Sequence, residues 1–425
     1  MVSPHVRNGS GATERYSNYH PYPREKRHLY SALKQLITYT MQQAAGLTVT
    51  ISQSLEGVDE RAWQQLLPSS VRGYRFFQTL QETLRHEFTF YYISITEGSR
   101  LVCLAPCFLA NYSFDTTMKG LWKAVCLWVK RIWPRFLTAR FLVCGSPTSE
   151  AWLGLTASVH PSLSSLLLDA MRTIAQQTGS RWLAFKDFPD AYEPFLDPLL
   201  NKGFCKIPSY PVGHLDLWFA SFDEYLASLS KATRKDLRRK FRKIDGCVQV
   251  EMEARSELHG PLLDQAYTLY LNTFNKSQTQ FELVTKEFFE RISSHLPNKT
   301  TYFLWRIEGR LVAFNLSLVD GSTLHDEYLG LDYGVAHQYH LYYLTFRDMI
   351  RWCLQHDIRR YATGTLNYDP KKRLDFRLLP LYVYVSHTHR LMNGLFRLVS
   401  PLIDPVRFDP ILQSFYQKLV TAEHR

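Results

Sequence analysis

The residues best suited to acid–base chemistry stand in succession on one predicted strand in the second half of the chain. Residues 323–332, T-L-H-D-E-Y-L-G-L-D, include His325, Asp326 and Glu327. Because side chains alternate along a strand, His325 and Glu327 point to one face and Asp326 to the other. An imidazole or a carboxylate there can take a proton from an attacking amine or hydroxyl. The alternative is that one face of the strand is simply exposed to solvent.

A second stretch has the charge needed to bind an anion. Residues 231–243, K-A-T-R-K-D-L-R-R-K-F-R-K, contain eight basic residues and one acidic residue. They carry +7 of a net charge of +11, which leaves +4 for the rest of the chain. Such local basicity indicates one anionic contact site rather than a general affinity for polyanions, so we do not expect nucleic acid as a partner.

The basic stretch is predicted to be one face of an amphipathic helix. Ser221 and Glu224 form a capping box ahead of it. A buried stripe then recurs every three or four residues, and the basic side chains fill the other faces. An ordinary solvated face is the alternative, although such a face usually mixes both signs of charge. The stripe consists of Leu226, Leu229, Thr233, Leu237, Phe241 and Ile244.

Several other chemistries have no support in the sequence. The chain has no P-loop, no GxSxG motif and no HExxH motif. His387 and His389 are close together, but no nearby cysteine or second histidine pair completes a metal site. The seven cysteines are scattered without a CxxC pair, which predicts reduced thiols in a cytosolic protein.

Length and composition predict two folded domains behind a polar tail. A chain of 425 residues exceeds one ordinary core, and its 45% hydrophobic content suits folded structure. Residues 1–45 are predicted to be a polar tail and a leading helix, without the apolar core of a signal peptide. The longest apolar runs fall short of the ~20 residues that span a bilayer. We therefore expect a cytoplasmic protein, either free or at the inner face of the membrane.

An internal echo indicates a duplicated unit. Residues 91–110 and 302–321 both read as a strand, a tight turn at Glu-Gly and a second strand. Each hairpin is followed by an amphipathic helix, near 162–178 and 338–355, and then by a short strand. A further strand closes each copy, within 214–219 and 379–385.

The duplication predicts the fold class and the domain boundaries. The expected class is α/β (α+β), with two tandem domains that are each a mixed, mostly antiparallel sheet flanked by helices. The first domain covers 46–215, with a basic, Trp-rich insertion at 115–137, and the second covers 216–390. Residues 391–425 form a helical extension. Such Glu-Gly hairpins are common, so the shared order of elements carries the prediction.

These features resemble the GNAT acyltransferases. The branch is the double-GNAT one that includes the FemAB peptidoglycan-bridge enzymes and the acetyltransferases of cellulose and exopolysaccharide operons. Leu229–Arg242 resembles the family's helix L-x-x-x-x-R-x-x-L-R-R-x-x-R, and residues 141–147 and 183–189 resemble the first half of the branch. Residues 364–376 are similar to the motif Gly…Tyr-x-x-Lys…Gly-Phe, with Asp375 in place of the second glycine.

The resemblance implies an enzyme that transfers an acyl group, usually acetyl, from acyl-CoA to an amine or a hydroxyl. The pyrophosphate of acetyl-CoA would bind where free backbone N–H groups begin a helix. In this sequence that turn is residues 333–340, with Gly334 allowing a close backbone approach. The resemblance thus implies these cofactor-binding residues: Gly334, His337, Gln338, Tyr339 and His340.

The resemblance also implies roles in the last motif. Tyr368 could protonate the departing sulfur, and Lys371 and Arg373 could hold a phosphate or an anionic acceptor. Arg238 and Arg239 on the basic helix would lie near the substrate entrance. We expect only the second copy to be active, because the first lacks the Tyr-x-x-Lys ending. No tightly bound cofactor or metal is expected.

Two other classes of function stay open. The segment 118–137 combines five basic residues with Trp122, Trp128 and Trp133, which is the composition of an interfacial helix. A peripheral protein that binds an anionic membrane or a polyanion without catalysis is therefore the main alternative. An aminoacyl-tRNA-dependent FemAB-type transferase ranks third, because no stretch in the second half is long enough for its helical arm.

Overall fold

The structure is a computed structural model that describes residues 39–42, 46–67, 71–113, 128–129, 131–132, 138–148, 150–156, 162–277, 282–402 and 405–423. The predicted tail, except 39–42, and most of the predicted insertion lie outside these residues. Within the described residues, the strands are β1 Tyr39–Gln42, β2 Leu47–Ser52, β3 Thr89–Glu97, β4 Arg100–Ser113, β5 Thr138–Cys144, β6 Gly154–Leu155, β7 Trp182–Pro189, β8 Cys205–Pro208, β9 Val212–Asp216, β10 Val250–Arg255, β11 Thr300–Ile307, β12 Arg310–Asp320, β13 Thr323–Leu331, β14 Arg360–Thr363, β15 Arg377–Leu379 and β16 Leu381–His387.

The described α-helices connect and cover these strands. They are α1 Glu60–Leu66, α2 Tyr74–Leu84, α3 Leu163–Thr178, α4 Glu193–Leu196, α5 Phe222–Ser228, α6 Lys231–Cys247, α7 Gly260–Lys276, α8 Lys286–His295, α9 Leu341–Gln355, α10 Tyr368–Arg373, α11 Arg390–Val399 and α12 Pro410–Glu423. No helix in the described ranges has the length and hydropathy to cross a membrane. The predicted boundaries after residues 45, 215 and 390 stay predictions.

The described strands form two sheets. The first has the order β1-β2-β3-β4-β5-β7-β16-β8, with β6 beside β4, and the second has the order β10-β11-β12-β13-β14-β9-β15. The pairs β5–β7 and β13–β14 are parallel, and the other neighbours are antiparallel. The predicted fold class, with two mixed, mostly antiparallel sheets flanked by helices, is confirmed.

The two predicted hairpins occupy equivalent places in the two sheets. The β3–β4 turn consists of Gly98 and Ser99, and the β11–β12 turn of Glu308 and Gly309. Gly98, Glu308 and Gly309 all have positive φ, as tight two-residue turns require. Each hairpin also shifts register once, three residues before its turn. This shared irregularity supports a duplicated unit.

The strand predicted to close each copy joins the sheet of the other copy instead. Strand β16 lies between β7 and β8 in the first sheet, and β9 lies between β14 and β15 in the second. The prediction is therefore wrong on this point, and each half gives one strand to the other. Where β9 lies beside β14, the exchange requires a glycine. A Cβ on Gly213 would lie 2.8 Å from Thr363 Oγ1 of β14.

The apolar core lies in three layers. One outer cluster packs α3 against the first sheet, and the other packs α6 and α9 against the second. The cluster between them joins α1 and α2 of the first half to α7 and α8 of the second. The halves are thus held together by a shared interior, and a site between them has rigid walls.

The basic stretch is a helix, as the pattern predicts. Ser221 caps α5 through the Glu224 N–H, and Glu224 accepts the Ala220 N–H in return. A second cap at Ser230 then begins α6. The predicted stripe therefore spans two helices, because the chain turns between α5 and α6. On α6 its buried members are Leu237, Phe241 and Ile244.

We expect the buried stripe to supply the stability of this region. Leu237 is 2% exposed, so Leu237→Ala should lower the free energy of unfolding by about 2–5 kcal/mol. The exposed neighbour Arg238 is the control, and Arg238→Ala should change the free energy of unfolding by less than about 0.5 kcal/mol. Urea unfolding followed by circular dichroism measures both. Equal effects would contradict the assignment of the buried face.

Candidate functional site

The site begins where the two parallel strand pairs end. The last paired residues are Cys144 with Phe185 in the first sheet and Asp326 with Thr363 in the second. Beyond these pairs the chains separate, and the residues that follow from both halves line one cavity of about 530 Å³. Cavities of this size suit a small-molecule substrate. The duplicated unit therefore builds a cavity that both halves share.

A buried ionic cluster crosses between the halves inside this cavity. Arg72, from the turn before α2, contacts Glu150 and lies 2.8 Å from Glu327 Oε1 of β13. Burial opposes the charge of Arg72, but the two carboxylates raise the pKa of its guanidinium above the ordinary value. Burial raises the pKa of Glu327, and the Arg72 charge opposes that shift. A charge in this cluster is costly to leave unpaired.

Glu327 also occupies an irregular point of its strand. Leu316 pairs with Tyr328 and Ser317 pairs with Asp326, so Glu327 is the extra residue of a β-bulge. Bulges occur beside active sites because they redirect a side chain. The corresponding strand β5 pairs with β4 in unbroken register. The two halves therefore differ at this point, and the activity of the second copy alone stays a prediction.

Two histidines line the same wall in their neutral form. Burial, Arg72 and His214 together lower the pKa of His325 to about 3. Burial also lowers the pKa of His214 on the exchanged strand β9. For both rings, burial therefore favours the neutral form. His325, Asp326 and Glu327 all line the cavity, and the Asp326 carboxylate also accepts hydrogen bonds from Asn315 and Tyr361.

A second polar group comes from the first half and the segment after α7. Lys186 contacts Asp187, and Asp187 accepts a hydrogen bond from Ser209. Glu282 accepts a hydrogen bond from Tyr328 at 3.4 Å. Burial raises the pKa of Glu282 to about 7, although Lys186 and Tyr328 oppose the shift. A carboxyl group with that pKa can give and take a proton near neutral pH.

Lys371 lies behind the cavity wall. It is 4% exposed, and its Nζ donates to the Gly364 carbonyl at the end of β14. Burial lowers the pKa of Lys371 to about 7, and the Asp326 charge opposes the shift. Burial also raises the pKa of Asp326. These two groups support the loop that borders the cavity, since Gly364 itself is a lining residue.

The structure does not bring Tyr368 or Arg373 to the cavity. The Tyr368 hydroxyl donates to the Pro211 carbonyl at 3.1 Å, and burial raises its pKa. It therefore ties α10 to the segment before β9. Arg373 is exposed and pairs with Asp369 at 3.0 Å. Their predicted roles toward the donor and the acceptor stay predictions.

The predicted cofactor turn is a compact loop before α9, and its residues are not among those that line the cavity. Most of its backbone N–H groups donate hydrogen bonds to acceptors within the loop. Gly334 N–H donates to Asp332 Oδ1 at 2.9 Å, and Leu341 N–H donates to the Ala336 carbonyl. His340 adopts φ +46° immediately before the helix. A carboxylate thus already satisfies the glycine N–H that was predicted to approach a phosphate.

The basic helix α6 lies beside this turn. Lys240 Nζ lies 4.1 Å from the centre of the Tyr343 ring at the start of α9. Burial lowers the pKa of His340, and Lys240 and Lys243 add to that shift. Arg238 and Arg239 are exposed on the same helix, and Arg239 pairs with Asp236 at 2.7 Å. The positive surface is therefore real, and its ligand stays a prediction.

The other part of the cavity is apolar. Phe141 stacks on Trp182, and Phe396 of α11 meets the edge of the same indole with ring centres 4.9 Å apart. The cavity therefore offers both a charged region and a hydrocarbon-like region to one ligand. Its apolar lining includes Phe88, Phe108, Phe141, Val143, Ile207, Leu381, Val383, Val385 and Phe396.

Sequence reasoning missed several residues of the site. Arg72, Glu150, Lys186, His214 and Glu282 come from five separate segments, and each looks like an ordinary surface residue in its own segment. Lys186 and Asp187 lie within the stretch 183–189 that carried the family resemblance, so this stretch was the one available signal. In the described ranges, no group of three or more His, Cys, Asp or Glu residues could hold a metal ion.

The chain is similar to one known protein family and to several solved structures. The sequence model of the FemAB-like family, described as peptidoglycan biosynthesis/recognition, matches residues 54–373. The crystal structure of FemX superposes with a TM-score of 0.52 at 11% identity, covering 80% of this chain and 98% of that chain. A tandem GNAT protein from the clavulanic acid biosynthesis pathway gives a TM-score of 0.49 at 8% identity, covering 80% and 99%.

A curated relative is longer than this chain. A Mycobacterium tuberculosis protein provisionally named 8-amino-7-oxononanoate synthase 2 is 26% identical over 331 residues. The match covers 74% of this chain and 42% of the relative, so the chain spans less than half the length of that relative. The predicted resemblance to the double-GNAT, FemAB-like branch is confirmed by the family match and by the fold.

Proposed function

The chain belongs to the FemAB-like family, and we propose that it is a transferase that moves an acyl group from an activated carrier to an amine of a cell-envelope acceptor. The family description concerns peptidoglycan, which supports an acceptor from the cell envelope. The observation that carries the proposal is the charge of the shared cavity. Five acidic and two basic residues line it: Glu150, Asp187, Glu282, Asp326 and Glu327 against Arg72 and Lys186.

This excess of carboxylates favours an ammonium group as the part of the acceptor that binds there. Buried carboxylates that exceed their cations attract a cation, whereas they would repel a phosphate or a carboxylate. The two lining histidines are neutral, because burial lowers the pKa of both. We therefore propose transfer to nitrogen, with Glu150 and Glu327 holding the ammonium and Arg72 fixing both carboxylates.

In the proposed reaction, Glu282 takes a proton from the bound ammonium. Glu327 is less suited to this step because its oxygen is engaged with Arg72 at 2.8 Å, whereas the pKa of Glu282 is about 7. The free amine then attacks the acyl carbonyl and a C–N bond forms. The nitrogen releases its second proton to solvent, and the bond from the carbonyl carbon to the carrier breaks. The Glu282 carboxyl group returns its proton to the departing thiolate or alkoxide.

The proposed donor is an acyl-CoA, with acetyl-CoA as the first candidate. Its phosphates would bind at the turn before α9, where α6 contributes Lys240 and Lys243 and where Lys276 lies 3.8 Å from the centre of the Tyr333 ring. Asp332 is the feature that opposes this donor, because its carboxylate already accepts the Gly334 N–H. The carboxylate would have to turn away when a phosphate binds.

The Asp332 contact favours a second candidate donor, an aminoacyl-tRNA. Its phosphates are spread along a backbone and would contact the exposed arginines of α6 without the Gly334 N–H. Among the described residues, the longest helices of the second half, α6 and α7, have 17 residues each. They do not form a long antiparallel arm, so acyl-CoA keeps the first place.

A transfer assay tests the proposed function. The protein is incubated with acetyl-CoA, or with a mixture of aminoacyl-tRNAs, together with cell-envelope precursors that carry a free amine. Mass spectrometry should detect an amide product. Products should disappear in Glu327→Gln and persist in Glu60→Gln, whose carboxylate lies in a partly exposed pair with Arg75. An ester product with a hydroxyl acceptor, and no amide, would contradict the proposal.

The arginines of α6 should affect donor binding and not the fold. Arg238, Arg239 and Arg242 are exposed, so their joint change to glutamine should weaken donor binding and reduce its salt dependence. Arg234 is left unchanged because it donates to the Ala227 and Leu229 carbonyls. Binding is measured by fluorescence anisotropy at several salt concentrations.

The matched control removes the same charge from the first half. The triple change Arg61→Gln, Arg100→Gln and Arg172→Gln alters three exposed residues. It should leave the donor affinity within about twofold of the wild type, because exposed charges more than about 10 Å away are largely screened at 0.1 M salt. Equal weakening by both triples would show that α6 has no specific role.

A further inference from the structure

Helix α11 presents its apolar residues to solvent. Its exposed residues include Leu391 at 79%, Leu395 at 53% and Leu398 at 78%. Met392 and Val399 are also exposed. At 3.6 residues per turn, these five side chains form an arc of about 120°. A helix on the surface of a globular protein normally turns such an arc toward the core, so this one has the opposite orientation.

The helix is held in this orientation by its narrow inner face. Asn393 Nδ2 donates to the Gly203 carbonyl at 2.7 Å, and its Oδ1 accepts the His387 N–H. Phe396 is buried and packs on Trp182. These contacts come from three separate parts of the chain, which fixes the rotation of the helix. The apolar arc is therefore a fixed feature of the surface.

The charge around the arc is positive. Arg390 and Arg397 lie on one flank of the helix, about 80–100° beyond the edge of the arc, and are exposed. The sequence from His387 to Ile403 contains no acidic residue. Leucine and methionine on one face with arginine on the flank is the composition of a helix that lies in the interface of an anionic bilayer. A protein partner with a neutral apolar groove would not use the two arginines.

We propose that α11 docks this protein on an anionic lipid surface and so places the apolar part of the cavity next to the bilayer. The link is Phe396, which lines the cavity while Leu395 and Leu398 on the same helix point outward. A membrane-anchored acceptor could then enter beside Phe396, with its hydrocarbon part against the aromatic wall and its amine at the carboxylates. This second step rests on the proposed function, whereas the docking does not.

Vesicle sedimentation tests the docking. The full chain is mixed with vesicles of 30% phosphatidylglycerol in phosphatidylcholine, or with phosphatidylcholine alone. The wild type should sediment with the anionic vesicles and much less with the neutral ones. Leu391→Gln, Leu395→Gln and Leu398→Gln together should abolish sedimentation. Arg390→Gln with Arg397→Gln should weaken it by about fivefold for each charge removed.

A control variant and two further measurements distinguish lipid docking from unfolding and from dimer formation. Trp218 is 73% exposed outside α11, so Trp218→Gln should sediment like the wild type. Thermal unfolding checks that each variant is folded. Light scattering checks for a second copy on this face: a wild-type dimer that the triple variant converts to a monomer, without vesicle binding, would overturn the proposal. Equal sedimentation of the wild type and the folded triple variant would overturn it as well.

Activity separates this proposal from the proposed function. The triple α11 variant should keep full transfer to a water-soluble amine and lose at least tenfold with the same amine anchored in vesicles. Loss of transfer to both acceptors by a folded variant would contradict the docking role. If the wild type transfers to neither acceptor yet sediments with anionic vesicles, the proposed function fails and the docking stands.

Discussion

Replacing Arg72 by methionine is expected to lower the free energy of unfolding by about 3–5 kcal/mol and to abolish transfer. Arg72 is largely buried and contacts both Glu150 and Glu327. Without it, two carboxylates are left in a buried site without their cation, and the halves lose an ion pair that joins them. Urea unfolding and the transfer assay measure the two effects. Arg75→Met, which breaks a partly exposed pair with Glu60, should cost less than about 1 kcal/mol.

The pH dependence of this variant has a defined sign. Burial already raises the pKa of Glu327, and removal of the guanidinium raises it further. A carboxyl group whose folded pKa exceeds its unfolded pKa contributes stability at low pH that is lost as the pH rises. The loss in the free energy of unfolding caused by Arg72→Met should therefore grow from pH 5 to pH 8. A deficit that shrinks over this range would contradict the ionic assignment, and Glu327→Gln in the same chain should restore part of the stability.

Replacing Glu282 by glutamine is expected to reduce kcat/KM by about 10²–10⁴ while the protein stays folded. The carboxyl group lines the cavity and has a pKa of about 7. A general base must be unprotonated, so kcat/KM of the wild type should fall about tenfold per pH unit below pH 7. The variant should lose this acid limb. A stopped assay over pH 5.5–8.5 measures both.

The control for Glu282 is a nearby carboxyl group outside the cavity lining. Burial raises the pKa of Glu87 as well, and its charge acts on Glu282. Glu87→Gln should keep the acid limb and change kcat/KM by no more than a few fold. If Glu87→Gln and Glu282→Gln gave the same profile, the base would lie elsewhere, and Glu327 would be the next residue to test.

Local patterns in the sequence predicted local structure well. The hairpins and the helix α6 with its buried Leu237 and Phe241 depend on side-chain periods of 2 or 3.6 residues. These periods are fixed by the backbone of one segment. The fold class followed from the order of such segments, repeated twice.

The exchanged strands and the shared site could not be read in this way. Strands β9 and β16 have the same alternation whichever sheet they join, so only the pairing of distant segments decides their place. The exchange brings His214 to the second sheet and Val383 to the first. Arg72 and Glu327 are 255 positions apart, and nothing in either segment specifies the other. Motifs within one copy therefore could not predict a cavity that both halves line.

The central claim is that a carboxylate-rich cavity shared by both halves binds an amine attached to an apolar group. Binding of decylammonium, measured by thermal shift at pH 8 beside decanol and decanoate, tests it most directly. A ligand present at a hundred times its Kd adds about 2.7 kcal/mol to the folded state. Decylammonium should stabilise the wild type, decanol should do so less, and decanoate should not. The shift with decylammonium should disappear in Glu150→Gln with Glu327→Gln. Stabilisation by decanoate that equals or exceeds that by decylammonium would contradict the claim.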